Sequence, residues 1–210
     1  DSLSSRRINL MTQERIEKIE QKLKEKRADA FLLVNHEYSG QPGSRYLSGF
    51  SGSESVLIMA RGKRFIITDG RYYSQAKKEA SLFKLIPSGR FSYLKLVQGL
   101  IKKFKIKTFL IDGSHTFYVT VERLRKATGV DFIDAAGLLQ EIRIVKNPGE
   151  VTLLKHAADI AGKAFMGLLP LIRKGVTERW LAAKLEFLMK EHGADRESFD
   201  TIVASGKNGA

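Results

Sequence analysis

The residues able to do metal or acid–base chemistry are few in this chain and do not form groups. The four histidines, His36, His115, His156 and His192, show no metal-ligand spacing, and no His-Glu-x-x-His segment occurs. The sequence contains no cysteine, which excludes a thiolate metal site, a cysteine nucleophile and a disulfide framework. Since a lone histidine is more often structural or exposed than catalytic, residue types and spacing alone assign no reaction.

Shorter motifs do not change this picture. The segment Gly49–Ser53 is not a nucleophile elbow, because that motif requires glycine where Ser53 stands. Neither a Gly-x-Gly-x-x-Gly segment nor a phosphate-binding loop of the Walker type is present. Asp195, Glu197 and Asp200 lie close together in sequence, in a pattern typical of a solvated loop that leads into a strand. On these grounds the residues indicate a two-domain α/β protein without an assignable reaction.

The composition indicates a folded protein. The chain has 210 residues, of which 43% are hydrophobic, and this suits one or two domains with a real core. No run approaches the roughly 18 apolar residues of a membrane helix, so we expect no membrane association. Residues 1–10 contain two arginines but no apolar signal-peptide core, and we predict a leader here with Met11 as the natural start. The lack of cysteine fits a reducing compartment, and we predict a cytoplasmic location.

The net charge of +13 is concentrated in the first part of the chain. Before Lys146 there are 26 basic and 15 acidic residues, whereas from Lys146 onward there are 10 and 8. The cations are spread over predicted helices without interleaved aromatic residues, which favours solvated helix faces. We therefore do not expect nucleic acid as a partner, and binding of another anionic partner is kept as the alternative.

Alternating helix and strand patterns predict an α/β domain over residues 11–145, with a mixed sheet flanked by helices. A hairpin is predicted where Ser55–Met59 and Arg64–Thr68 flank a turn that contains Gly62. Residues 35–49, rich in Asn, Ser, Gly and Pro, are predicted to form a loop. The other predicted elements are helices at 13–28 (Thr12 as N-cap), 71–80 (Asp69 as N-cap), 92–104 and 116–128, and strands at 30–34, 82–86, 107–111 and 131–134.

The second part, residues 146–210, begins with Pro148 in the first turn of a new helix. Thr177 is predicted to cap a second helix that ends near residue 191, and Ser198–Ala204 is predicted to be a strand. The apolar stripe of the first of these helices comprises Val151, Leu154, Ala158, Ala161, Phe165 and Leu168. Two amphipathic helices and one strand offer no sheet to bury them, so we expect this part to open a larger domain.

Three stretches of the chain carry motifs of a known family. The first is Arg45–Ser53 (RYLSGFSGS) followed by Ile67–Tyr72 (ITDGRY). The second is Glu141–Glu150 (EIRIVKNPGE), and the third is Ser198–Asn208 (SFDTIVASGKN). In order and spacing they resemble the creatinase/prolidase/aminopeptidase P family of metallopeptidases. The resemblance implies a creatinase-like N-terminal domain over residues 11–145, followed by the truncated start of an α+β pita-bread catalytic domain.

The resemblance also implies an activity, namely hydrolysis of the bond between a residue and a following proline. Two divalent metal ions, manganese, cobalt or zinc, then hold a bridging hydroxide and polarise the scissile carbonyl. In the family the five metal ligands, two Asp, one His and two Glu, follow the segment that ends near Asn208, and this chain includes none of them. We therefore expect this chain alone to bind no metal and to be inactive, and its full-length parent to cleave proline-containing peptides.

The positions that the resemblance carries over are supporting ones rather than catalytic ones. His36, in the loop Asn35–Tyr38, is implied to lie near the substrate of a partner subunit. Arg45 is expected chiefly to order its own loop by hydrogen bonding. Phe199 and Asn208 are implied to line the floor and mouth of the substrate pocket in the parent, with a core position as the favoured alternative for Phe199.

Further alternatives are open at this point. Creatinase-like domains also occur as metal-free modules that bind peptides or proteins, and the basic first part would suit an acidic partner. A creatinase-type hydrolase of a small guanidino compound shares the same N-terminal motifs. The first domain is followed directly by Lys146–Gly149, where a three-domain aminopeptidase P would have a further domain. This favours a two-domain prolidase. Since the family typically dimerises, we expect a homodimer, and Asp69–Arg71 is expected to be structural.

Overall fold

A mixed β-sheet organises the first part of the chain in the computed structural model. The structure describes residues 2–37 and 42–209, with the backbone alone for residues 2–9 and Pro42. Within these residues the strands are β1 (Ala30–Asn35), β2 (Ser55–Ala60), β3 (Lys63–Thr68), β4 (Lys84–Pro87), β5 (Thr108–Ile111) and β6 (Asp131–Asp134). The helices are α1 (Ser2–Glu25), α2 (Pro42–Ser48), α3 (Tyr73–Glu79), α4 (Tyr93–Phe104), α5 (Tyr118–Thr128), α6 (Leu138–Ile144), α7 (Pro148–Leu168) and α8 (Glu178–Glu191).

Contacts along the chain divide it into two units. The first unit comprises residues 1–145 and the second unit residues 146–210. All strands of the described sheet belong to the first unit, and α7 and α8 belong to the second. In the described part of the chain, no helix combines the length and the apolar character that crossing a membrane requires.

The strand order of the sheet is β4-β3-β2-β1-β5-β6. β1 pairs with β2, and β2 with β3, in antiparallel fashion, whereas β3–β4, β1–β5 and β5–β6 are parallel pairs. Each described strand except β2 therefore ends at the same edge of the sheet, which we call the carboxyl edge. The sequence-based prediction of a mixed sheet flanked by helices is confirmed.

Both faces of the sheet are covered, and β1 lies at its centre with all six residues buried. Leu32 and Val34 face one layer, formed by α4 and α5. Phe31 and Leu33 face the opposite layer, formed by α1, α2, α3 and α6. Burial on both faces explains why this strand is an unbroken apolar run rather than an alternating one.

Tight turns with left-handed backbone end several elements of the first unit. Arg61 and Gly62, with φ of 49° and 70°, form the two-residue turn between β2 and β3, and this geometry suits the right-handed twist of a hairpin. The predicted hairpin is thus confirmed. α4 ends at Lys105 with φ of 50°, and α5 ends at Gly129 with φ of 68°.

The helices of the second unit begin with capping groups. The Asn147 side chain accepts a hydrogen bond from the Glu150 backbone N–H, and the Glu150 carboxylate accepts one from the Asn147 N–H, both at 2.9 Å. This reciprocal capping box satisfies backbone groups that α7 would otherwise leave unbonded. At α8 the Thr177 hydroxyl accepts from the Trp180 N–H at 3.2 Å, as predicted.

Three sequence-based predictions for the first unit are wrong. Thr12 is buried inside α1, because this helix begins at Ser2 rather than near residue 13. The segment 35–49, predicted as a loop, contains α2, because Leu47 is fully buried against the sheet; residues 38–41 of it lie outside the described residues. Asp69 does not cap α3, since no side chain caps that helix. α6 had no counterpart among the predicted elements.

The predicted apolar stripe of α7 is largely exposed in the second unit. Of its members, Leu168 is buried, whereas Leu154 and Phe165 are about half exposed. α8 packs instead against the flank that carries Ile160, Ala164 and Leu168, where Gly167 lets α8 come close. The buried face of α7 therefore shares only Leu168 with the predicted stripe.

The prediction of a strand at Ser198–Ala204 is also wrong. These residues are all described, and they form no strand. A strand needs a hydrogen-bonded neighbour, and the described part of the second unit contains only helices and irregular segments. The following turn is a short 3-10 helix, Gly206–Asn208.

The left-handed turn residues generate a testable pair of substitutions. Gly129→Ala is expected to destabilise the first unit by about 1 kcal/mol, because alanine resists a φ of 68° even though its Cβ would meet no atom within 4 Å. Lys105→Gly is expected to stabilise it by up to about 1 kcal/mol, because the same strain is relieved at the end of α4. Hydrogen exchange of the β1 amides measures both changes. A neutral Gly129→Ala together with a destabilising Lys105→Gly would show that backbone strain does not govern these turns.

Candidate functional site

Loops at the carboxyl edge bring charged residues from separate strands together. Glu37 follows β1, Glu54 immediately precedes β2, and Asp69 immediately follows β3. β2 begins at the edge where β1 and β3 end, because both strands pair with it in antiparallel fashion. The three carboxylates therefore surround one side chain, Arg71, and we call these four residues the Arg71 cluster.

Arg71 makes ion pairs with all three acidic members of the cluster. Its Nε and Nη2 atoms donate to the two carboxylate oxygens of Asp69, each at 3.0 Å. Nη1 donates to Oε1 of Glu37 at 2.9 Å, and Nη2 lies 3.5 Å from Oε2 of Glu54. The planar guanidinium group suits such a fork, so one side chain ties three loops together.

The protonation states of the cluster follow from these contacts. Hydrogen bonds from Arg71 hold the pKa of Asp69 below its ordinary value, although partial burial opposes this shift. In return, Asp69 and Glu37 raise the pKa of Arg71. Burial raises the pKa of Tyr93, whose hydroxyl is hydrogen-bonded to Asp69, and the charge of Glu54 raises it further. At neutral pH Asp69 is therefore ionised, Arg71 is charged and Tyr93 is neutral.

A metal centre does not fit the residues of the cluster. The guanidinium group of Arg71 occupies the space between the carboxylates where a cation would otherwise bind. Across residues 2–37 and 42–209, no group of three or more His, Asp or Glu side chains is arranged to hold a metal ion. The cluster is thus a cross-link between loops rather than a metal site.

Neutral hydrogen bonds extend this cross-link. The hydroxyl of Ser53 lies 2.8 Å from that of Tyr72 and donates to Glu37 at 3.3 Å. The buried side-chain amide of Asn35, the last residue of β1, donates to the carbonyl of Gly52 at 3.2 Å. The loop that follows β1 is therefore fixed to the loop that precedes β2.

His36 lies at the same edge but faces the α5 side of the sheet. Its Nε2 atom is 3.0 Å from the hydroxyl of Thr120, and its ring centroid is 5.1 Å from that of Phe117. These contacts hold His36 in place between β1 and α5. Tyr38, at the end of the predicted loop, lies outside the described residues.

Arg45 is exposed in the last turn of α2. Its backbone carbonyl accepts a hydrogen bond from the N–H of Gly49 at 2.8 Å, which helps to end the helix. Arg45 does not belong to the Arg71 cluster. That its guanidinium group orders the surrounding loop stays a prediction.

Asn208 and Phe199, the predicted pocket residues of the second unit, have different surroundings. The side-chain amide of Asn208 donates to both carboxylate oxygens of Glu178, at 3.2 and 3.0 Å. Ser205 donates to the same carboxylate through its N–H at 2.7 Å and its hydroxyl at 3.1 Å. These bonds lower the pKa of Glu178. Phe199 is 73% exposed in this chain, and its place in the pocket or the core of the parent protein stays a prediction.

A buried carboxylate at the end of β5 supports the edge from within. Asp112 is fully buried and accepts hydrogen bonds from the backbone N–H groups of Ser114, Gly137 and Leu139 at 3.2, 3.3 and 3.1 Å. The last two groups belong to the start of α6. Asp112 therefore fixes α6 to the sheet and satisfies N–H groups that a helix start leaves unbonded.

Most of this edge has no signal in the sequence. Asp69–Arg71 is predicted to be structural, but no sequence pattern connects Glu37, Glu54 or Tyr93 with that segment. These residues are separated by long stretches of sequence, and only the antiparallel register of β1, β2 and β3 brings them together. The alternation of turn residues and strands indicates the hairpin, but nothing in the sequence indicates which loop residues contact one another.

Two family descriptions match consecutive parts of the chain. The Creatinase/Prolidase N-terminal domain matches residues 15–145. Metallopeptidase family M24 matches residues 152–210. The first match covers the sheet and the helices on both of its faces, and the second covers most of α7 and the residues that follow.

Individual proteins resemble nearly the whole chain. The Xaa-Pro dipeptidase of Pyrococcus horikoshii is 30% identical over 202 residues, which cover 94% of this chain and 53% of that protein. The X-Pro aminopeptidase of Thermotoga maritima, at 35% identity, has a crystal structure that matches with a TM-score of 0.79 over 84% of this chain and 50% of that one. The Xaa-Pro dipeptidase from Bacillus anthracis matches at 32% identity with a TM-score of 0.82, over 92% and 53%. The chain thus spans about half the length of the relatives it matches.

The Arg71 cluster predicts a pH-dependent loss of stability. A carboxylate with a lowered folded pKa stabilises the fold above its unfolded pKa, and this contribution disappears as the pH falls through the folded value. Arg71→Gln is therefore expected to destabilise the first unit at pH 7. The difference in the free energy of unfolding between the variant and the unchanged protein should shrink below about pH 3.8. Urea unfolding of both proteins across this range measures it. Arg90→Gln, which removes an exposed arginine for which the described residues provide no ion pair, is the control. A difference in the free energy of unfolding that stays constant with pH would contradict the assignment.

The Glu178 contacts give a second prediction, for the second unit. Asn208→Ala removes both hydrogen bonds from its side-chain amide to the carboxylate, so the pKa of Glu178 should rise towards its ordinary value of 4.5. Carboxyl-carbon NMR titration of Glu178 measures the shift. Lys207→Ala changes the adjacent residue of the same turn and should leave the titration unchanged. Equal titrations in the Asn208→Ala and unchanged proteins would show that this contact is absent in solution.

Proposed function

The chain belongs to the creatinase/prolidase N-terminal domain family, and from this we propose that it forms the non-catalytic part of a metal-dependent Xaa-Pro peptidase. The parent protein hydrolyses the bond between a residue and a following proline. One observation carries this proposal: the N-terminal-domain match and the metallopeptidase match follow each other directly along the chain, as residues 15–145 and 152–210. The Xaa-Pro dipeptidases and aminopeptidase among its relatives support the substrate class.

In this proposal the catalytic metal ions belong to polypeptide outside the described residues. The parent protein binds two divalent ions, manganese, cobalt or zinc, which activate water and polarise the scissile carbonyl. The residues that the structure describes form the non-catalytic part of that protein in this proposal. Its own contribution is a rigid sheet whose carboxyl edge is cross-linked by Arg71.

The predicted substrate-proximal residues keep supporting roles in the parent. His36 is held by Thr120 and Phe117 at the carboxyl edge, and this fixed position suits a residue that approaches the substrate of a partner subunit. Arg45 orders the neighbouring loop. Phe199 and Asn208 line the substrate pocket, and the exposure of Phe199 in this chain leaves its ring available for that contact.

The parent protein acts as a homodimer in the cytoplasm and takes proline-containing peptides as substrates. The exposed apolar stripe of α7 supports the view that further polypeptide packs on the second unit, because solvent contact with Leu154 and Phe165 is unfavourable. Neither membranes nor nucleic acids are partners in this proposal.

A comparison of two polypeptides tests the proposed function. The 210-residue chain and the longer natural protein that contains it are each incubated with Mn²⁺, a dipeptide that ends in proline and a longer Xaa-Pro peptide. We expect the longer protein to release proline or the N-terminal residue, and the 210-residue chain to give no product above the metal-only blank.

Each contrary result has a distinct meaning. Cleavage by the 210-residue chain would contradict its non-catalytic role. Failure of the longer protein on both peptides, with no metal bound, would contradict the peptidase assignment and favour a creatinase-like peptide-binding or protein-binding module. Zn²⁺ and Co²⁺ replace Mn²⁺ in parallel reactions, so that an unsuitable metal is not mistaken for inactivity.

A further inference from the structure

The connections of β1 and β5 leave the sheet on opposite faces. α2, which follows β1, packs in the layer of Phe31 and Leu33, whereas α5, which follows β5, packs in the layer of Leu32 and Val34. β1 and β5 are parallel neighbours. In α/β sheets, a crevice opens outside the carboxyl ends of two strands whose connections diverge in this way, and ligands bind there preferentially.

On the β1 side of this point the first unit has a cavity, lined by strand residues of β1 and β2 together with α4 and α5, and we call it the α4–α5 crevice. Its volume is about 310 Å³, within the range of roughly 300–1,000 Å³ that is usual for small-molecule sites. The apolar part of its wall is formed by Leu32, Val34, Val56, Leu94, Val97 and Leu124. These residues come from two strands and both helices of the layer, so the wall belongs to the folded core.

Polar groups converge on the same crevice. His36, Ser92, Thr120 and Arg123 line it, and Tyr93 contributes its ring. The described lining residues include no carboxylate, and Arg123 is the one permanently charged group among them. His36 and Thr120 lie within hydrogen-bond distance of each other, so these two polar side chains already have fixed positions.

The charge of the crevice differs from that of the Arg71 cluster beside it. In the cluster the guanidinium group is already bonded to Glu37, Glu54 and Asp69, and it therefore does not attract a further anion. Arg123 is exposed on α5, so an acidic ligand can reach it without the cost of burying an ion. An apolar wall with one cation and hydroxyl groups matches a molecule with an apolar body and a single acidic group.

We propose that the α4–α5 crevice binds a small organic carboxylate, with its apolar body against Val34, Leu94 and Val97 and its carboxylate towards Arg123. This site belongs to the first unit alone and does not depend on the peptidase function proposed above. Branched aliphatic and arylalkyl acids fit the volume and the lining.

NMR titration of the 210-residue chain with defined probes tests the proposal. Methyl-labelled protein is titrated with 4-methylpentanoate, 3-phenylpropanoate and 3-phenylpropanamide up to about 5 mM, which detects a dissociation constant of about 1 mM. We expect the acids to shift the methyl resonances of Val34, Leu94 and Val97, but not those of Leu181 and Leu185 in α8. The amide, which lacks the charge, should bind about tenfold more weakly.

Variants locate the site and test the charge. Arg123→Gln should weaken binding of the acids about tenfold, whereas Lys126→Gln, the same charge change elsewhere on α5, should leave it unchanged. Leu94→Trp fills the crevice and should abolish the shifts, with the methyl spectrum itself reporting that the fold is kept. Val97→Leu, a smaller filling of the same wall, serves if Leu94→Trp does not fold.

Three results would overturn the proposal. The absence of crevice methyl shifts with either acid would exclude the site. Equal binding of acid and amide, or unchanged binding in Arg123→Gln, would exclude recognition of the carboxylate. Full retention of binding in the filled variant would place the ligand elsewhere. None of these measurements involves peptide cleavage, so their outcome is independent of the assay for the proposed function.

Discussion

The pairing of β1 on both sides is the constraint on which the first unit depends. β1 joins the antiparallel hairpin, through β2, to the parallel part of the sheet, through β5. All six of its residues are buried, so a shift of one position would exchange the side chains that face the two helical layers. This fixed register also determines where Asn35, His36 and Glu37 leave the strand, and hence which groups meet at the carboxyl edge.

Two kinds of electrostatic contact then stabilise that edge in different ways. Arg71 is half exposed, and ion pairs in contact with water contribute little net stability, so the Arg71 cluster acts mainly by fixing the loops relative to one another. Asp112 is fully buried and accepts three backbone N–H groups. Removing a buried acceptor leaves its donors without partners, which costs more than losing a surface ion pair. The edge is therefore held by a buried acceptor, Asp112, and by the exposed ion pairs of Arg71.

The sequence predicts those parts of the fold that depend on interactions between residues close together in the chain. The apolar run of β1, the glycine-containing hairpin turn and the Thr177 cap each depend on residues within a few positions of one another, and each is confirmed. α2 was missed because its composition is typical of a loop, and the burial of Leu47 against the distant sheet outweighs that preference.

The candidate site was less predictable for the same reason. Asp69 and Arg71 stand in a recognisable motif, but their partners Glu37 and Glu54 come from other loops and meet them only through strand register. The exposed position of Phe199 had no local signal either, since burial depends on which elements are present to cover a side chain. The sequence pattern does not predict contacts between residues that are far apart in the chain, because no single stretch of residues encodes them.

The two features of the carboxyl edge differ in what they can still bind. In the Arg71 cluster, the guanidinium group is already paired with the carboxylates of Glu37, Glu54 and Asp69. An incoming ion would therefore have to displace one of these partners. The α4–α5 crevice has an apolar wall and one exposed cation, so a ligand there would replace water rather than protein contacts. Both features lie where β1 ends: the cluster comes from the antiparallel register of β1, β2 and β3, and the crevice lies between that part of the sheet and the helices α4 and α5. This arrangement thus gives a closed, structural half of the edge and an open half suited to recognition.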